Sequence, residues 1–315
     1  MSASHARRTA ERITMSADVN QAFVKVPPSY HPSPSKPKLK LPAGACDAHV
    51  HVFGPSDRFP FSPTRAYTPS DTPKEALFAL HAMLGIERCV IVQSNAHGFD
   101  NAAVADAVAA KGGSYLGVAL VPTTIALDEL QRLAATGFRG VRFNYAHHLG
   151  RGAPVEDVIS LTKRLAEAGM HLQVHIEPDL ISDLAPSLKQ SAVPVVIDHM
   201  GRVDASAGLD QPAFRQLLDL LEDRRFHIKV SGCDRITQQG PPYTDAVPVG
   251  RKLVAEFGDR TFWGTDWPHP NHTGPVPDDG VLVDFIARIA PSEQERQALL
   301  VDNPQRFYRF GTIEP

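Results

Sequence analysis

Short apolar runs alternate with amphipathic stretches along the chain from Ala45 onward. The runs are largely continuous in apolar character, which is typical of parallel strands that are buried on both faces. They occupy residues 45–53, 89–95, 115–121, 140–145, 171–177, 194–200, 227–233 and 261–268. The pattern therefore predicts eight strands, with room for a helix between successive strands.

The amphipathic stretches between these runs carry helix signals. Residues 73–84 form a predicted helix with Thr72 as its N-cap and Pro73 at the first helical position. Residues 154–168 form another predicted helix, which stops at Gly169 because glycine favours the conformation that ends a helix.

Repeated strand–helix units predict a (β/α)8 TIM barrel that forms a single domain over residues 45–315. An open, doubly wound sheet is the alternative architecture. It is disfavoured because no predicted strand is followed by a GxGxxG or GxxxxGKS loop.

Residues 1–44 differ in composition from the rest of the chain. Prolines at 27, 28, 32, 34, 37 and 42 fix φ and remove amide donors, so this segment cannot hold a regular hydrogen-bond ladder. We expect an extended arm that lies on the barrel or on a neighbouring subunit, and the latter would make the protein a homo-oligomer. The pair Arg7-Arg8 is not followed by the apolar segment of an export signal, and Met15 is an alternative start.

Composition narrows the class of protein. The chain has 315 residues, of which 43% are hydrophobic, and a formal net charge of -3, so bulk electrostatics favour neither nucleic acid nor an anionic membrane as a partner. No apolar run approaches the ~20 residues of a membrane-spanning helix. Three scattered cysteines without a CxxC pair indicate a reducing, cytoplasmic location.

The chemically informative residues are histidines at the ends of predicted strands. His49 and His51 lie on one face of the first strand, because alternate side chains of a strand point the same way. The fifth strand offers His175, the sixth ends in Asp198-His199 and the eighth ends in Asp266. A single buried histidine is usually a core residue. Several at the active-site end of one barrel, together with a carboxylate, favour a divalent metal of the zinc type.

These segments resemble the amidohydrolase superfamily, in particular the branch of lactone hydrolases that act on 2-pyrone-4,6-dicarboxylate and sulfomuconolactone. The resemblance covers nearly everything after residue 44. It rests on DAHVHVFGP at 47–55, His175, IDHMGR at 197–202 and WGTDWPHPN at 263–271, which occur in this order.

The resemblance implies roles for individual residues. His49, His51 and His199 become active-site residues, and Asp266 becomes the base that activates water. Residues expected to bind the anionic groups of the substrate are Arg142, Arg202, Arg235, His148 and Ser94. A guanidinium suits this task because its fork matches a carboxylate or sulfonate in two-point contact.

Two departures from the pyrone enzymes change the expected chemistry. Those enzymes, which work without a metal, usually have Arg where this chain has His148 and Tyr where it has His175. Gaining His175 restores the strand-five ligand of metal-dependent relatives. We therefore expect one zinc ion, with manganese as the alternative, held among His49, His51, His175, His199 and Asp266. Glu177 leaves a second, weaker site open.

The expected substrate is a small dianionic lactone from the catabolism of aromatic compounds. The first expectation is 4-sulfomuconolactone, which hydrolysis converts to maleylacetate and sulfite. One alternative is a metal-independent 2-pyrone-4,6-dicarboxylate lactonase, and another is a metal-dependent decarboxylase of the same superfamily. A non-enzymatic barrel with a structural metal is disfavoured, because structural zinc sites are usually closed by four ligands.

Overall fold

The computed structural model describes residues 28–149, 152–272 and 274–311. Its strands are β1 Cys46–Val50, β2 Arg88–Val92, β3 Tyr115–Ala119, β4 Phe138–Tyr145, β5 His171–Ile176, β6 Val195–Ile197, β7 Phe226–Lys229 and β8 Thr261–Phe262. They form one parallel sheet in the order of the chain. The amide of Ala48 donates to the carbonyl of Trp263 at 2.8 Å, which joins β1 to the segment after β8. The predicted TIM barrel is confirmed.

Helices surround the barrel and connect its strands. In the described part of the chain they are α1 Lys74–Leu84, α2 Ala102–Ala109, α3 Leu127–Ala135, α4 Val155–Glu167, α5 Ile181–Leu188, α6 Pro212–Leu221, α7 Cys233–Ile236, α8 Val247–Phe257, α9 Asp279–Ile289, α10 Glu293–Gln297 and α11 Asn303–Tyr308. None of these helices is long and apolar enough to cross a membrane.

Except for β4, which ends at Tyr145 as predicted, the predicted strands are longer than the observed ones at their C-terminal ends. The first predicted run continues to residue 53, whereas β1 ends at Val50, because the following residues leave the ladder to enter loops. The predicted N-cap of α1 is wrong. Pro73 occupies the cap position and no side chain caps the helix, while the backbone of Thr72 pairs with Phe53 in an isolated bridge.

The two ends of the barrel are filled differently. At the N-terminal ends of the strands, Tyr308 and Phe310 from the end of the chain pack with Phe262 of β8. This aromatic group closes that end of the barrel with apolar surface. The opposite end receives the polar side chains described below.

The described part of the arm, residues 28–44, lies on the barrel beside the segment that follows β8. The ring of Tyr30 lies 5.2 Å from that of Trp267. The backbone amide of Ser35 donates to Asp278 at 3.0 Å, and the amide of Leu39 donates to Asp284 at 2.8 Å. Residues Arg7, Arg8 and Met15, named above, lie outside the described part of the chain.

Candidate active site

The HxH pair lies at the C-terminal end of β1, where strand geometry sends alternate side chains to opposite sides. His49 and His51 both face the mouth of the barrel, while Val50 between them packs in the hydrophobic core. Close packing against the segment after β8 requires a glycine at position 264. A Cβ there would lie only 2.7 Å from the backbone nitrogen of His49. The WGTD segment can therefore approach β1 closely enough to present Asp266.

Oδ1 of Asp266 is the point on which three histidines converge. It lies 3.2 Å from Nε2 of His51, 3.6 Å from Nε2 of His49 and 3.8 Å from Nε2 of His199. Asp266 and His199 have φ values of +63° and +50°. Left-handed backbone is costly for residues other than glycine, and such conformations cluster at functional sites. The structure therefore brings together Asp266 and three of the four predicted histidines.

The second oxygen of Asp266 is held by Arg235, whose Nε donates to Oδ2. Burial alone would raise the pKa of Asp266, but the charge of Arg235 and the nearby histidines hold that pKa well below its usual range. Burial also lowers the pKa of His199 and of His175 well below the ordinary value. At neutral pH the site therefore contains an ionised carboxylate and neutral imidazoles.

The hydrogen bonding of His51 shows which of its nitrogens is available. Nδ1 lies 2.7 Å from the carbonyl oxygen of Val92. Because a carbonyl only accepts, Nδ1 carries the proton, and in a neutral ring Nε2 holds a lone pair. That lone pair faces Oδ1 of Asp266, which is also an acceptor. Two acceptors at this separation require a cation or a proton between them.

The donor atoms present fit a single divalent metal. Two groups have ligand atoms within 4.8 Å of one another, namely His49, His51 and Asp266, and His49, Asp198 and His199. Nε2 of His49 and Oδ1 of Asp266 are buried and find no hydrogen-bond partner among the described residues. Imidazole nitrogens and a carboxylate are the ligands of catalytic zinc.

The structure places His175 outside both groups. Its ring lies 5.4 Å from that of His199 and 6.2 Å from that of His148, and neither of its nitrogens has a partner among the described residues. This arrangement departs from the expectation of a ligand beside the HxH pair. Since β5 lies across the barrel from β1, the ring reaches the cavity wall rather than the point where the other histidines converge.

A buried layer of charged residues supports the histidines from below. Asp198 accepts from Nε of Arg142 at 2.8 Å and from Nε2 of Gln173 at 3.1 Å. Lys229 lies between Oε1 of Gln173 at 2.9 Å and Nδ1 of His49 at 3.2 Å. Burial lowers the pKa of Lys229 to about 8, and burial with the charge of Lys229 lowers that of His49 to about 3.

All three predicted anion-binding arginines are already paired with carboxylates within the protein. Arg142 lies within β4 and pairs with Asp198, while Arg235 pairs with Asp266. Both nevertheless line the cavity at the barrel mouth. Arg202 also lines it and pairs with Glu177 at 3.2 Å, so that the carboxylate once considered for a second metal is engaged with a guanidinium.

The remaining predicted residues lie on the rim of the cavity. His148 is exposed in a short 3-10 turn, His147–Leu149, and burial of its ring together with the charge of Arg202 lowers its pKa. Oγ of Ser94 lies 2.6 Å from the hydroxyl of Tyr67. Burial raises the pKa of Tyr67, so this hydroxyl stays protonated and can donate to a substrate oxygen.

Three residues of the site were missed by sequence reasoning: Lys229, Gln173 and Tyr67. Lys229 and Gln173 are polar residues within predicted strands, and their alternation with apolar neighbours is a signal that they face the inside of the barrel. Tyr67 lies in the irregular segment between β1 and α1, where no periodicity marks its direction.

A histidine pair at the end of the first strand, a histidine after the sixth and an aspartate after the eighth meet at the mouth of one barrel, an arrangement typical of barrel hydrolases. The protein-family model described as amidohydrolase matches residues 46–310. The chain belongs to this family.

Named relatives refine the class of enzyme. The chain is 45% identical over 288 residues to a 2-pyrone-4,6-dicarboxylate hydrolase of Comamonas testosteroni, covering 89% of this chain and 94% of the relative. It is 38% identical over 289 residues to a 4-sulfomuconolactone hydrolase of Hydrogenophaga intermedia, covering 91% and 94% of the two chains. The expectation of a lactone hydrolase is confirmed.

A solved structure gives the same result for the fold. It is a probable 2-pyrone-4,6-dicarboxylic acid hydrolase from Acinetobacter baumannii with citric acid bound. It superposes with a TM-score of 0.76 at 26% identity and covers 85% of this chain and all of its own. The architecture and the order of the site-bearing strands are therefore shared with this relative.

Proposed function

We propose that the protein hydrolyses a small dianionic lactone, and that 4-sulfomuconolactone is its substrate. The observation that carries this proposal is the convergence of His49, His51 and His199 on Oδ1 of Asp266. Arg202 and Arg235 line the same cavity and supply positive charge beside it.

One zinc ion, or manganese in its place, would be held at the point where these histidines meet Asp266. His51, with its lone pair directed at the site, and Asp266, with an unpartnered oxygen, fit this role best. When bound, such a cation polarises a carbonyl and lowers the pKa of water.

Residues of the chain carry out the remaining steps of the reaction. Ionised Asp266 accepts a proton from the attacking water, and Arg235 keeps the carboxylate oriented through Oδ2. The cationic rim orients the anionic groups, and the hydrogen-bonded pair of Tyr67 and Ser94 hydroxyls has one O–H left to donate to the substrate. The developing oxyanion faces the histidines and the position of the metal at the barrel mouth. The proton then passes to the ring oxygen as its bond to the carbonyl carbon breaks.

With 4-sulfomuconolactone, ring opening leaves one carbon that carries both a hydroxyl and a sulfonate. Loss of the hydroxyl proton forms the ketone while the carbon–sulfur bond breaks and its electron pair leaves with sulfite. The products are maleylacetate and sulfite, with water as the only co-reactant. The enzyme therefore needs to catalyse only hydrolysis of the lactone.

A 2-pyrone-4,6-dicarboxylate lactonase is the second candidate. It is favoured by the relative with 45% identity. The side chains at 148 and 175 weigh against it, because an exposed histidine and a buried neutral imidazole stand where an always-charged arginine and a tyrosine hydroxyl are expected.

The test is a purified-enzyme assay with both lactones, accompanied by metal analysis of the same sample. We expect turnover of the sulfonated lactone with release of one sulfite per ring opened and without CO2, and loss of activity in chelator that zinc or manganese restores. Turnover of the pyrone alone, undiminished in chelator, would favour the second candidate. CO2 release would instead indicate the decarboxylase chemistry considered above.

His175→Tyr sharpens this test. We expect the variant to remain folded and to gain no pyrone activity by itself, because His148 still replaces an arginine. Since the ring lies outside the compact ligand groups, we expect its main effect on KM rather than on zinc content. Zinc content that falls with His175→Tyr would instead establish His175 as a ligand.

A further inference from the structure

A second cavity lies at the opposite end of the barrel from the active site. It is a cleft of about 540 Å³ between the N-terminal ends of β4 to β8 and the helix α11. Small-molecule sites commonly have volumes of roughly 300–1,000 Å³, so this cleft is large enough for one. His171 lines the cleft and His175 lines the active site, which places the two sites about 13 Å apart along β5. The reaction proposed above makes no use of the cleft.

Three arginine side chains line this cleft, namely Arg139, Arg306 and Arg309. Within the described residues, every hydrogen bond that they donate has a neutral acceptor, either a backbone carbonyl or the side-chain oxygen of Asn303. None of the three forms an ion pair with a carboxylate in the described part of the chain. Their positive charges are therefore not balanced by contacts of this part of the protein.

Asp259 also lines the cleft, but its carboxylate is engaged elsewhere. Its Oδ2 accepts from Arg224 at 2.6 Å, and its Oδ1 lies 3.6 Å from Nε of Arg260. Burial and the charge of Arg309 lower the pKa of Arg139, so these two guanidinium groups repel each other. Because arginine stays protonated in proteins, the cleft has an excess of positive charge that a bound anion would balance.

One side of the cleft is aromatic. The ring of Phe307 lies 4.5 Å from that of His227 and 4.9 Å from that of His171. The ring of Phe262 is parallel to that of His227 at 5.7 Å. Phe307 and His227 are half-buried, so part of each ring is open to the cleft. A planar ligand can pack against these rings, as aromatic side chains pack against one another.

His171 adds a polar atom to the aromatic side. The residue is 5% exposed, and its Nε2 is buried without a hydrogen-bond partner among the described residues. Burial lowers its pKa to about 3, so the ring is neutral at pH 7. A buried polar atom without a partner costs free energy, and a ligand that hydrogen-bonds to this nitrogen would remove that cost.

We propose that this cleft binds a small aromatic carboxylate, at a site separate from the active site. The ligand ring packs against Phe307 and His227, and its carboxylate lies among the three arginines. A guanidinium group matches this anion because its N–H groups contact both carboxylate oxygens. An inorganic anion would leave the aromatic side uncovered, and an uncharged ring would leave the positive charges unbalanced. Together these two features favour an aromatic acid.

The probe is 2-naphthoate, titrated into the full chain by isothermal calorimetry at pH 7. We expect saturable binding with a Kd of about 1 mM or below. Arg309→Met should weaken binding by about 10-fold, because it removes a charge-assisted hydrogen bond. The matched control is Arg215→Met, which removes an exposed arginine that pairs with Asp210 away from the cleft. Absence of saturable binding, or equal Kd values for the two variants, would overturn the proposal.

Binding at the active site has to be distinguished from binding in the cleft, because arginines line both cavities. Arg202→Met removes a guanidinium from the mouth of the barrel, and we expect it to leave the Kd of 2-naphthoate unchanged. Loss of binding in Arg202→Met, with full binding in Arg309→Met, would place the ligand in the active site and refute the proposal. These readouts measure binding alone, so they stand whichever lactone the enzyme hydrolyses.

Two further ligands test the chemical class. Decahydro-2-naphthoate keeps the carboxylate and the carbon skeleton but has no aromatic ring, and we expect it to bind about 3-fold or more weakly. Inorganic phosphate has charge alone and should bind more weakly still. Equal affinity for phosphate and 2-naphthoate would indicate a general anion site and overturn the proposal. Glu314 lies outside the described residues. Binding that appears only in Glu314→Gln would show that a carboxylate of the chain itself occupies the cleft, which would also overturn it.

Discussion

β5 carries a histidine near each end, and the two side chains have different surroundings. His171 opens the strand, and its ring packs 4.9 Å from that of Phe307 and 5.5 Å from that of Tyr308. His175, at the other end, faces the ring of His199 and the cavity that contains Asp266. The same residue type on one strand thus belongs to an aromatic plug at one end of the barrel and to the active site at the other.

Burial does not separate these two histidines. It lowers the pKa of His171 to about 3 and lowers that of His175 well below its ordinary value. Each also has at least one ring nitrogen without a partner among the described residues. What differs is the neighbourhood, because one ring packs against aromatic side chains and the other faces a carboxylate and arginines. Position along the strand, rather than burial, indicates function in this fold.

Among substitutions at the two ends of the barrel, the largest loss of activity is expected at Asp266. Asp266→Asn keeps the shape of the side chain but removes the proton acceptor, and we expect kcat to fall by about 10²–10⁴-fold. The matched control at the opposite end is Asp259→Asn, which should leave kcat within about 2-fold. Steady-state kinetics on variants with unchanged thermal unfolding decide the matter, and near-full turnover of Asp266→Asn would remove its role as base.

Arg202 tests whether the mouth recognises anions. Because Arg142 and Arg235 pair with fully buried carboxylates, whereas the partner of Arg202, Glu177, is partly exposed, Arg202→Met is the least disruptive substitution. A charge-assisted hydrogen bond is worth roughly 1.5–3 kcal/mol, so KM for a dianionic lactone should rise about 10–150-fold. KM for a neutral lactone should change little. Equal changes for both lactones would indicate that Arg202 only supports the fold.

Changes in the aromatic group at the N-terminal ends of the strands are expected to alter the pH dependence of folding stability but not the reaction. His227 stacks beside Phe262, and burial lowers its pKa to about 4. Since the unfolded chain takes up the proton near pH 6.5, the stability that depends on this neutral ring is complete above that pH and declines as the pH falls towards about 4.

His227→Gln should remove part of this decline, on the order of 3 kcal/mol at most, in urea unfolding followed from pH 7 to 4. Activity at pH 7 should remain within about 2-fold of wild type, because the residue lies far from the mouth. A large loss of activity would show that the two ends of the barrel are coupled.

The smallest effect on activity is expected from truncation of the N-terminal arm. Residues 29–39 make the arm contacts with the loop and helix after β8, so removing residues 1–26 should leave kcat within a few-fold. Removing residues 1–40 should lower it further. A loss of about 100-fold from the shorter truncation, with the fold intact, would contradict this expectation.

The sequence predicts the barrel well because each buried parallel strand is a nearly continuous apolar run. It also predicts the convergence of His49, His51, His199 and Asp266, since strand ends of a barrel meet at one face. It does not predict that Arg142 pairs with Asp198. Residue type reveals a charge but not its partner across the barrel, and distances of this kind depend on strand register.

Local signals were less reliable where tertiary contacts compete with them. Thr72 is a good N-cap residue by type, yet its backbone pairs with Phe53 and the helix starts without a side-chain cap. The residue type of Lys229 gives no sign of its position, because a lysine is almost never fully buried unless it is paired. Its partners, Gln173 and Asp198, come from two other strands, so no local pattern could identify them.

The arm gives the molecule an order of assembly. Ser29 hydrogen-bonds the carbonyl of Pro268, 239 residues later, and Leu39 reaches Asp284, 245 residues away. Contacts of such separation form late, because closing a long loop costs entropy before the contact stabilises it. On the ribosome, the first part of the chain must therefore wait until nearly all of the barrel has been synthesised. The loop that carries Asp266 receives its covering last, so a nascent chain acquires its full catalytic geometry only on completion.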